Sequence, residues 1–166
     1  MATATRFLFQ SFVPTFRYAS ARRMSQLFNN IPLKRHGGGN ATAADLQNKA
    51  VALYFSAHWC GPCRSFTPIL KDFYEELAGT NELEIVFVSF DRTPEDLDHY
   101  LSEAHGNWLY VPHGNEAIQT LADKYGVSGI PALIVVKADG TVITKEGRTD
   151  VQSKPPKVTL SKWKAG

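Results

Sequence analysis

Cysteine is scarce in this 166-residue chain, which has two, and no acidic residue occurs before Asp45. Two cysteines are too few for the disulfide framework that holds small secreted domains together. They are also too few for a four-thiolate zinc site. No apolar run approaches the ~20 residues of a membrane-spanning helix, so no membrane partner is expected. Six of the 18 basic residues, Arg6, Arg17, Arg22, Arg23, Lys34 and Arg35, precede Asp45. The other 12 share the rest of the chain with all 16 acids, which leaves a mildly acidic body and no reason to expect nucleic-acid binding.

Residues 1–28 are rich in Arg, Ser, Thr, Ala and Phe. That composition fits a mitochondrial transit peptide, with a disordered tail as the plain alternative. A secretory signal fits less well, because Gln10, Ser11 and Pro14 interrupt the apolar stretch from Phe7 to Phe16. Met24 follows Arg22-Arg23, so a start there gives a nearly identical body without the import signal. The expected location is therefore mitochondrial, or cytoplasmic from a start at Met24.

Both cysteines sit in Trp59-Cys60-Gly61-Pro62-Cys63, directly after the apolar run Val51–Phe55. A strand ending in this turn places the first thiol at a helix N-terminus. Unpaired N–H groups and the helix dipole there favour a thiolate, and the second thiol lies one turn further on. Three readings compete. Half of a zinc site needs further ligands from His36, His58, His99, His105 and His113, and no two of these have finger-type spacing. A structural disulfide closing so small a loop removes little chain entropy. The strand–turn–helix context favours a redox-active dithiol.

Along the chain, Asn29–Lys34 reads as a short strand and Gly37-Gly38-Gly39-Asn40 as a turn, without the lysine of a phosphate-binding loop. The run Val51–Phe55 is apolar throughout, as in a strand buried on both faces. From Gly61 to Ala78 the residues Phe66, Ile69, Leu70, Phe73, Tyr74 and Leu77 recur at helical spacing, with Pro68 expected to kink the helix. Glu84–Phe90 reads as a second buried strand. Thr93-Pro94-Glu95-Asp96 starts a helix running to Ala104, and Asn115–Tyr125 is another, stopped by Gly126. Ala132–Lys137 and Thr141–Glu146 form a hairpin around Ala138-Asp139-Gly140. Residues 151–166 read as a Lys- and Pro-rich tail in which only Trp163 suggests docking. The fold class is α/β: a mixed central sheet with helices on its faces.

Trp59-Cys60-Gly61-Pro62-Cys63, followed by Gly129-Ile130-Pro131, resembles the thioredoxin superfamily. The stretches Tyr54–Cys60, Arg64–Pro68, Trp108–Pro112 and Lys124–Pro131 are most similar to its tryparedoxin and nucleoredoxin branch. The resemblance covers residues 29–150 and implies a thioredoxin-like fold. It further implies Cys60 as attacking thiol, Cys63 as resolving thiol, and a cis-proline at Pro131. Trp59, Gly61, Pro62, Ile130 and Pro131 would line a groove for an extended substrate. Two departures stand out. Gly61-Pro62 replaces the Pro-Pro usual in that branch, and Tyr54 occupies the place of the buried Asp of thioredoxins. A phenol is a poor base at neutral pH, so another acceptor must take the proton of Cys63.

The resemblance implies a thiol–disulfide oxidoreductase acting on disulfide-containing proteins, peroxidases among them. Its expected reductant is a thioredoxin-reductase-like flavoprotein or glutathione. No bound cofactor or metal is expected, and the working unit is expected to be a monomer. A binding module of the same fold, holding a partner only when reduced, shares every residue named. A thiol peroxidase is disfavoured, since no further activating motif is evident. His58 either tunes Cys60 or faces solvent, and no histidine pairs with a cysteine in sequence as a protease dyad requires.

Overall fold

The apolar stretch that precedes the cysteines forms a strand at the centre of a mixed sheet. The computed structural model describes residues 27–166. The transit-peptide expectation, with Arg6, Arg17, Arg22, Arg23 and Met24, therefore lies outside the described residues. Elements follow in the order β1 (Leu33–Arg35), β2 (Asn40–Ala41), β3 (Ala50–Ser56), α1 (Gly61–Leu77), β4 (Leu83–Ser89) and α2 (Pro94–Ala104). Then come β5 (Leu109–Tyr110), α3 (Ala117–Tyr125), β6 (Ala132–Val136), β7 (Val142–Thr144), α4 (Gly147–Ser153) and α5 (Pro156–Ala165). The sheet order is β2-β1-β5-β4-β3-β6-β7. Strands β3, β4 and β5 run parallel, and β6 pairs antiparallel with β3 through Leu53↔Ile134.

Side-chain alternation explains why β3 and β4 are buried along their whole length. Ala52, Tyr54, Ile85 and Phe87 face one layer, together with Phe66, Leu70, Phe73 and Leu77 of α1 and Leu97, Tyr100 and Leu101 of α2. Val51, Leu53, Phe55, Val86 and Val88 face the other, against Leu121, Ala122 and Tyr125 of α3. Each fully buried Leu or Phe contributes roughly 1.5–3 kcal/mol. Ile69, expected on the apolar face of α1, is exposed, because that face is narrower than the periodicity suggests. Pro68 sits inside α1 without ending it. Thr93 caps α2, its hydroxyl accepting from the Asp96 N–H at 3.1 Å.

Three features depart from expectation. The first strand is Leu33–Arg35 rather than Asn29–Lys34, while Phe28, ahead of it, is buried against α3's layer. A two-residue strand, β5, is inserted between β1 and β4. The segment after Val151, read as a tail, is helical. Pro155 and Pro156 open α5, and Thr159, Leu160 and Trp163 recur at helical spacing to bury one face. Trp163 packs 5.6 Å from Phe73 of α1, and its indole N–H donates to Asp150 at 3.0 Å. Helices α4 and α5 thus complete the layer that carries α1, and so brace the helix that presents the cysteines.

Candidate active site

The site lies at the carboxyl ends of the parallel strands β3 and β4, where loops leave an open α/β sheet. After Ser56 the chain turns through Ala57, His58 and Trp59 and enters α1 at Cys60. Cys60 is the cap residue of α1, with extended φ and ψ, and its Sγ accepts from the Cys63 N–H at 3.3 Å. Sulfur therefore takes the place that a serine or aspartate oxygen fills at ordinary helix starts. Pro62 in the first turn loses no bond there, since its missing N–H has no intrahelical partner. Cys60 and Cys63 are joined as a disulfide, with Cα atoms 5.2 Å apart. Cys60 is 7% exposed and Cys63 0%, so of the two residues only the first keeps any contact with solvent.

Around the sulfurs the expected groove residues fall as follows. Trp59 is 54% exposed, its indole N–H donating to the Phe90 carbonyl at 3.1 Å and its ring facing the Arg92 guanidinium at 5.8 Å. Gly61 and Pro62 are exposed beside it. The Ile130–Pro131 bond is cis, and the Ile130 carbonyl oxygen lies 3.8 Å from Cys60 Sγ. Ala57, Phe90 and Ile130 form the apolar packing around the two sulfurs. Cys60 thus lies between Trp59, its neighbour in sequence, and the chain at Ile130.

Several contributors were not read from the sequence. Asp91, buried just past β4, accepts from the His58 backbone N–H at 2.7 Å and from the Ser89 hydroxyl at 2.6 Å. His113 Nε2 is bonded to the Asp91 carbonyl at 3.1 Å. Asp91 therefore fixes the loop that carries Trp59 and Cys60. Arg148 of α4 donates to the Pro131 carbonyl at 3.1 Å, and its guanidinium covers the Phe66 ring at 5.4 Å. Neither residue belongs to a motif, and both act through contacts distant in sequence.

Behind Cys63 lies a buried chain of hydroxyls. Thr67 donates to the Cys63 carbonyl at 2.9 Å, and its oxygen is 2.7 Å from the Tyr54 hydroxyl and 2.6 Å from that of Tyr100. The Tyr100 hydroxyl is in turn 3.0 Å from Ser56 Oγ. Burial first, and then neighbouring Tyr100, push the Tyr54 phenol well above its ordinary value, so it stays neutral. The histidines are scattered. His105 is buried among aromatics, and His36 Nδ1 lies 3.1 Å from the Gly106 carbonyl. His58 Nε2 lies 3.0 Å from a carboxylate oxygen of Glu103, with its ring 5.5 Å from that of Tyr100.

The Cys60–Cys63 disulfide thus caps a helix, with the cis Ile130–Pro131 bond next to Cys60. The thioredoxin-like family model matches residues 48–142, more than half of the chain. The chain belongs to the thioredoxin-like family. Nucleoredoxin of Homo sapiens is 44% identical over 123 residues, which are 72% of this chain and 28% of that protein. The chain thus spans less than a third of that relative's length. Tryparedoxin of Trypanosoma brucei brucei is 38% identical over 119 residues, covering 70% of this chain and 81% of that one. The crystal structure of thioredoxin from Wuchereria bancrofti is 56% identical, with a TM-score of 0.72 over 83% of this chain and 96% of that chain. Family membership and a Cys60–Cys63 pair at disulfide distance together support dithiol oxidoreductase chemistry.

Proposed function

We propose that the protein is a thiol–disulfide oxidoreductase that reduces protein disulfides through Cys60 and Cys63. The observation that carries this reading is the asymmetry of the pair. Cys60, the one of the two that keeps some exposure, caps α1 with its sulfur, while Cys63 is fully buried in the first turn. In the reduced protein the Cys60 thiolate attacks one sulfur of a substrate disulfide. A mixed disulfide forms, and the other substrate sulfur leaves as a thiolate. Cys63, as thiolate, then attacks Cys60 Sγ, closing the internal disulfide and releasing the second substrate thiol. Two electrons pass to the substrate, and an external dithiol or flavoprotein restores them.

An extended substrate segment lies along Trp59, Gly61 and Pro62 and meets the backbone at Ile130, whose carbonyl flanks Cys60. Disulfide-containing proteins are the substrate class, peroxidases among them. A thioredoxin-reductase-like flavoprotein or glutathione is the reductant class. The acid-free run before Asp45 supports mitochondrial import, tested by fusing residues 1–40 to a fluorescent reporter. A diffuse cytosolic signal would end that part of the reading.

Turnover of insulin disulfides with dithiothreitol tests the reductase activity. Cys60→Ser should abolish turnover. Cys63→Ser should trap substrates as mixed disulfides, because nothing then resolves the adduct. Trapping by Cys60→Ser instead would reverse the two roles. Absence of turnover in the intact protein would leave the redox-dependent binding module standing.

A further inference from the structure

We propose that His58, His99 and Glu103 form a site for a divalent transition-metal ion of the zinc class, beside the Cys60–Cys63 centre. The fold brings together residues that the sequence keeps far apart. His99 and Glu103 stand one turn apart on the same face of α2, and His58 arrives from the loop between β3 and α1. His58 Nε2 is 3.0 Å from Glu103 Oε2, and His99 Nε2 is 3.8 Å from the same oxygen. The two imidazole rings meet edge to face with centroids 5.0 Å apart. One ligand atom from each of the three residues lies within 4.8 Å of the other two.

These spacings suit a metal. Bonds of ~2.0–2.1 Å in tetrahedral geometry put neighbouring ligand atoms about 3.3 Å apart. The two measured separations bracket that edge. His58 is the fixed arm, since its backbone N–H is bonded to Asp91 and its ring rests against Tyr100. The side chains of His99 and Glu103 are 66% and 52% exposed, so small rotations close the triangle without disturbing the core. Two imidazoles and one carboxylate select zinc-class ions over magnesium or calcium, which prefer oxygen ligands. Three protein ligands leave one position open to water.

As a bare ion-pair cluster the same side chains contribute little at this exposure, because solvent screens them. A bound ion changes the mechanics of the loop. It ties His58, two residues before Cys60, to α2, and so couples metal occupancy to the loop that carries Trp59. This inference is independent of the reductase reading, because binding is measured without turnover.

The test uses the oxidised full-length protein, in which both sulfurs are tied up and cannot ligate. Zn2+ is titrated in competition with a chromophoric chelator, and Co2+ is followed by visible absorption. Wild type should bind a single equivalent, with the intense bands of four-coordinate Co2+. His99→Ala and Glu103→Ala should each weaken binding by more than the ~10–100-fold that loss of an outer-shell partner costs. His36→Ala should leave binding unchanged. Independently of any variant, Zn2+ should shift the imidazole resonances of His58 and His99 and leave that of His105 in place. No stoichiometric binding to the oxidised wild type would overturn the proposal. So would binding that survives both substitutions, or imidazole shifts confined to other histidines.

Discussion

The Tyr54 hydroxyl lies 2.7 Å from Thr67 Oγ1, one turn of α1 beyond Cys63. Tyr54 stands in the middle of β3 and Thr67 on the buried face of α1, so the contact pins the cysteine-bearing helix to the central strand. Thr67 in turn donates to the Cys63 carbonyl one turn back in the same helix, which links the Tyr54 contact to the first turn of α1. Tyr54, which occupies the place of the buried aspartate of thioredoxins, is therefore a bracket for α1, and its raised pKa keeps the phenol neutral and removes it as a proton acceptor.

Tyr54→Phe separates bracing from proton transfer. Losing one buried hydroxyl contact should lower unfolding free energy by about 1 kcal/mol, read from urea titration. Disulfide turnover should fall by less than about tenfold, equivalent to ~1.4 kcal/mol of barrier. A drop beyond ~100-fold, at unchanged stability, would return the phenol to the proton path.

Asp91 offers a contrast between two substitutions. Asp91→Ala leaves the His58 N–H and the Ser89 hydroxyl without their acceptor, which costs about 1–3 kcal/mol for buried groups. Asp91→Asn keeps an oxygen toward His58 and should cost less than half of that. Turnover should follow the same order, since the loop carrying Trp59 and Cys60 loosens with it. Equal losses in both variants would show that the carboxylate charge matters rather than the hydrogen bond.

The legible parts of this protein were those written locally. An apolar run, Cys60-Gly61-Pro62-Cys63 and a helical pattern beyond it describe a strand, a turn and a capped helix within a few residues of one another. Thr93 and Pro94 announce α2 in the same way. Ile130-Pro131 came into the reading through resemblance, since nothing in the dipeptide itself points to a sulfur. Asp91 was invisible because a single acid after a strand looks the same whether it faces water or a backbone N–H. Leu109–Tyr110 is too short to show periodicity. In α5, Lys157, Lys162 and Lys164 obscure the three residues that pack inward. His58 and Glu103 meet only because β3 and α2 share one end of the sheet.

His105 should make stability fall with acid. Trp108 Nε1 donates to His105 Nδ1 at 3.1 Å, and the rings of Phe87 and Tyr100 lie 4.2 and 4.3 Å away. Burial first, and then the neighbouring His36, push the imidazole down to about 3. The unfolded chain takes up this proton near pH ~6.5, and the folded one does not until the pH is far lower. The contribution is thus fully present above pH ~6.5 and is lost progressively below it, by at most ~1.4 kcal/mol per pH unit. Urea titrations at several pH values should show a flatter dependence for His105→Gln, whose amide oxygen can still accept from Trp108. Parallel lines for wild type and variant would place the acid sensitivity elsewhere.

Trp163 decides whether the last helix is part of the fold or an ornament on it. Its ring is 1% exposed against Phe73, and its N–H meets the buried carboxylate of Asp150. Lys162 donates to the other carboxylate oxygen at 2.7 Å. Burial alone would raise the Asp150 pKa, but the bonds from Lys162 and Trp163 outweigh it and hold the carboxyl below its ordinary range. Trp163→Ala should cost about 3–5 kcal/mol, the loss typical of a large aromatic removed from a core. A domain whose whole stability is about 5–15 kcal/mol would then be close to unfolding at ordinary temperatures. Trp163→Phe keeps most of the apolar area and loses only the bond to Asp150, so it should cost about 1–3 kcal/mol. Because α5 packs on α1, the alanine variant should also lose disulfide turnover at temperatures where wild type is active, and recover it on cooling. A Trp163→Ala protein within about 1 kcal/mol of wild type would mean that α5 adds nothing to the cysteine-bearing helix.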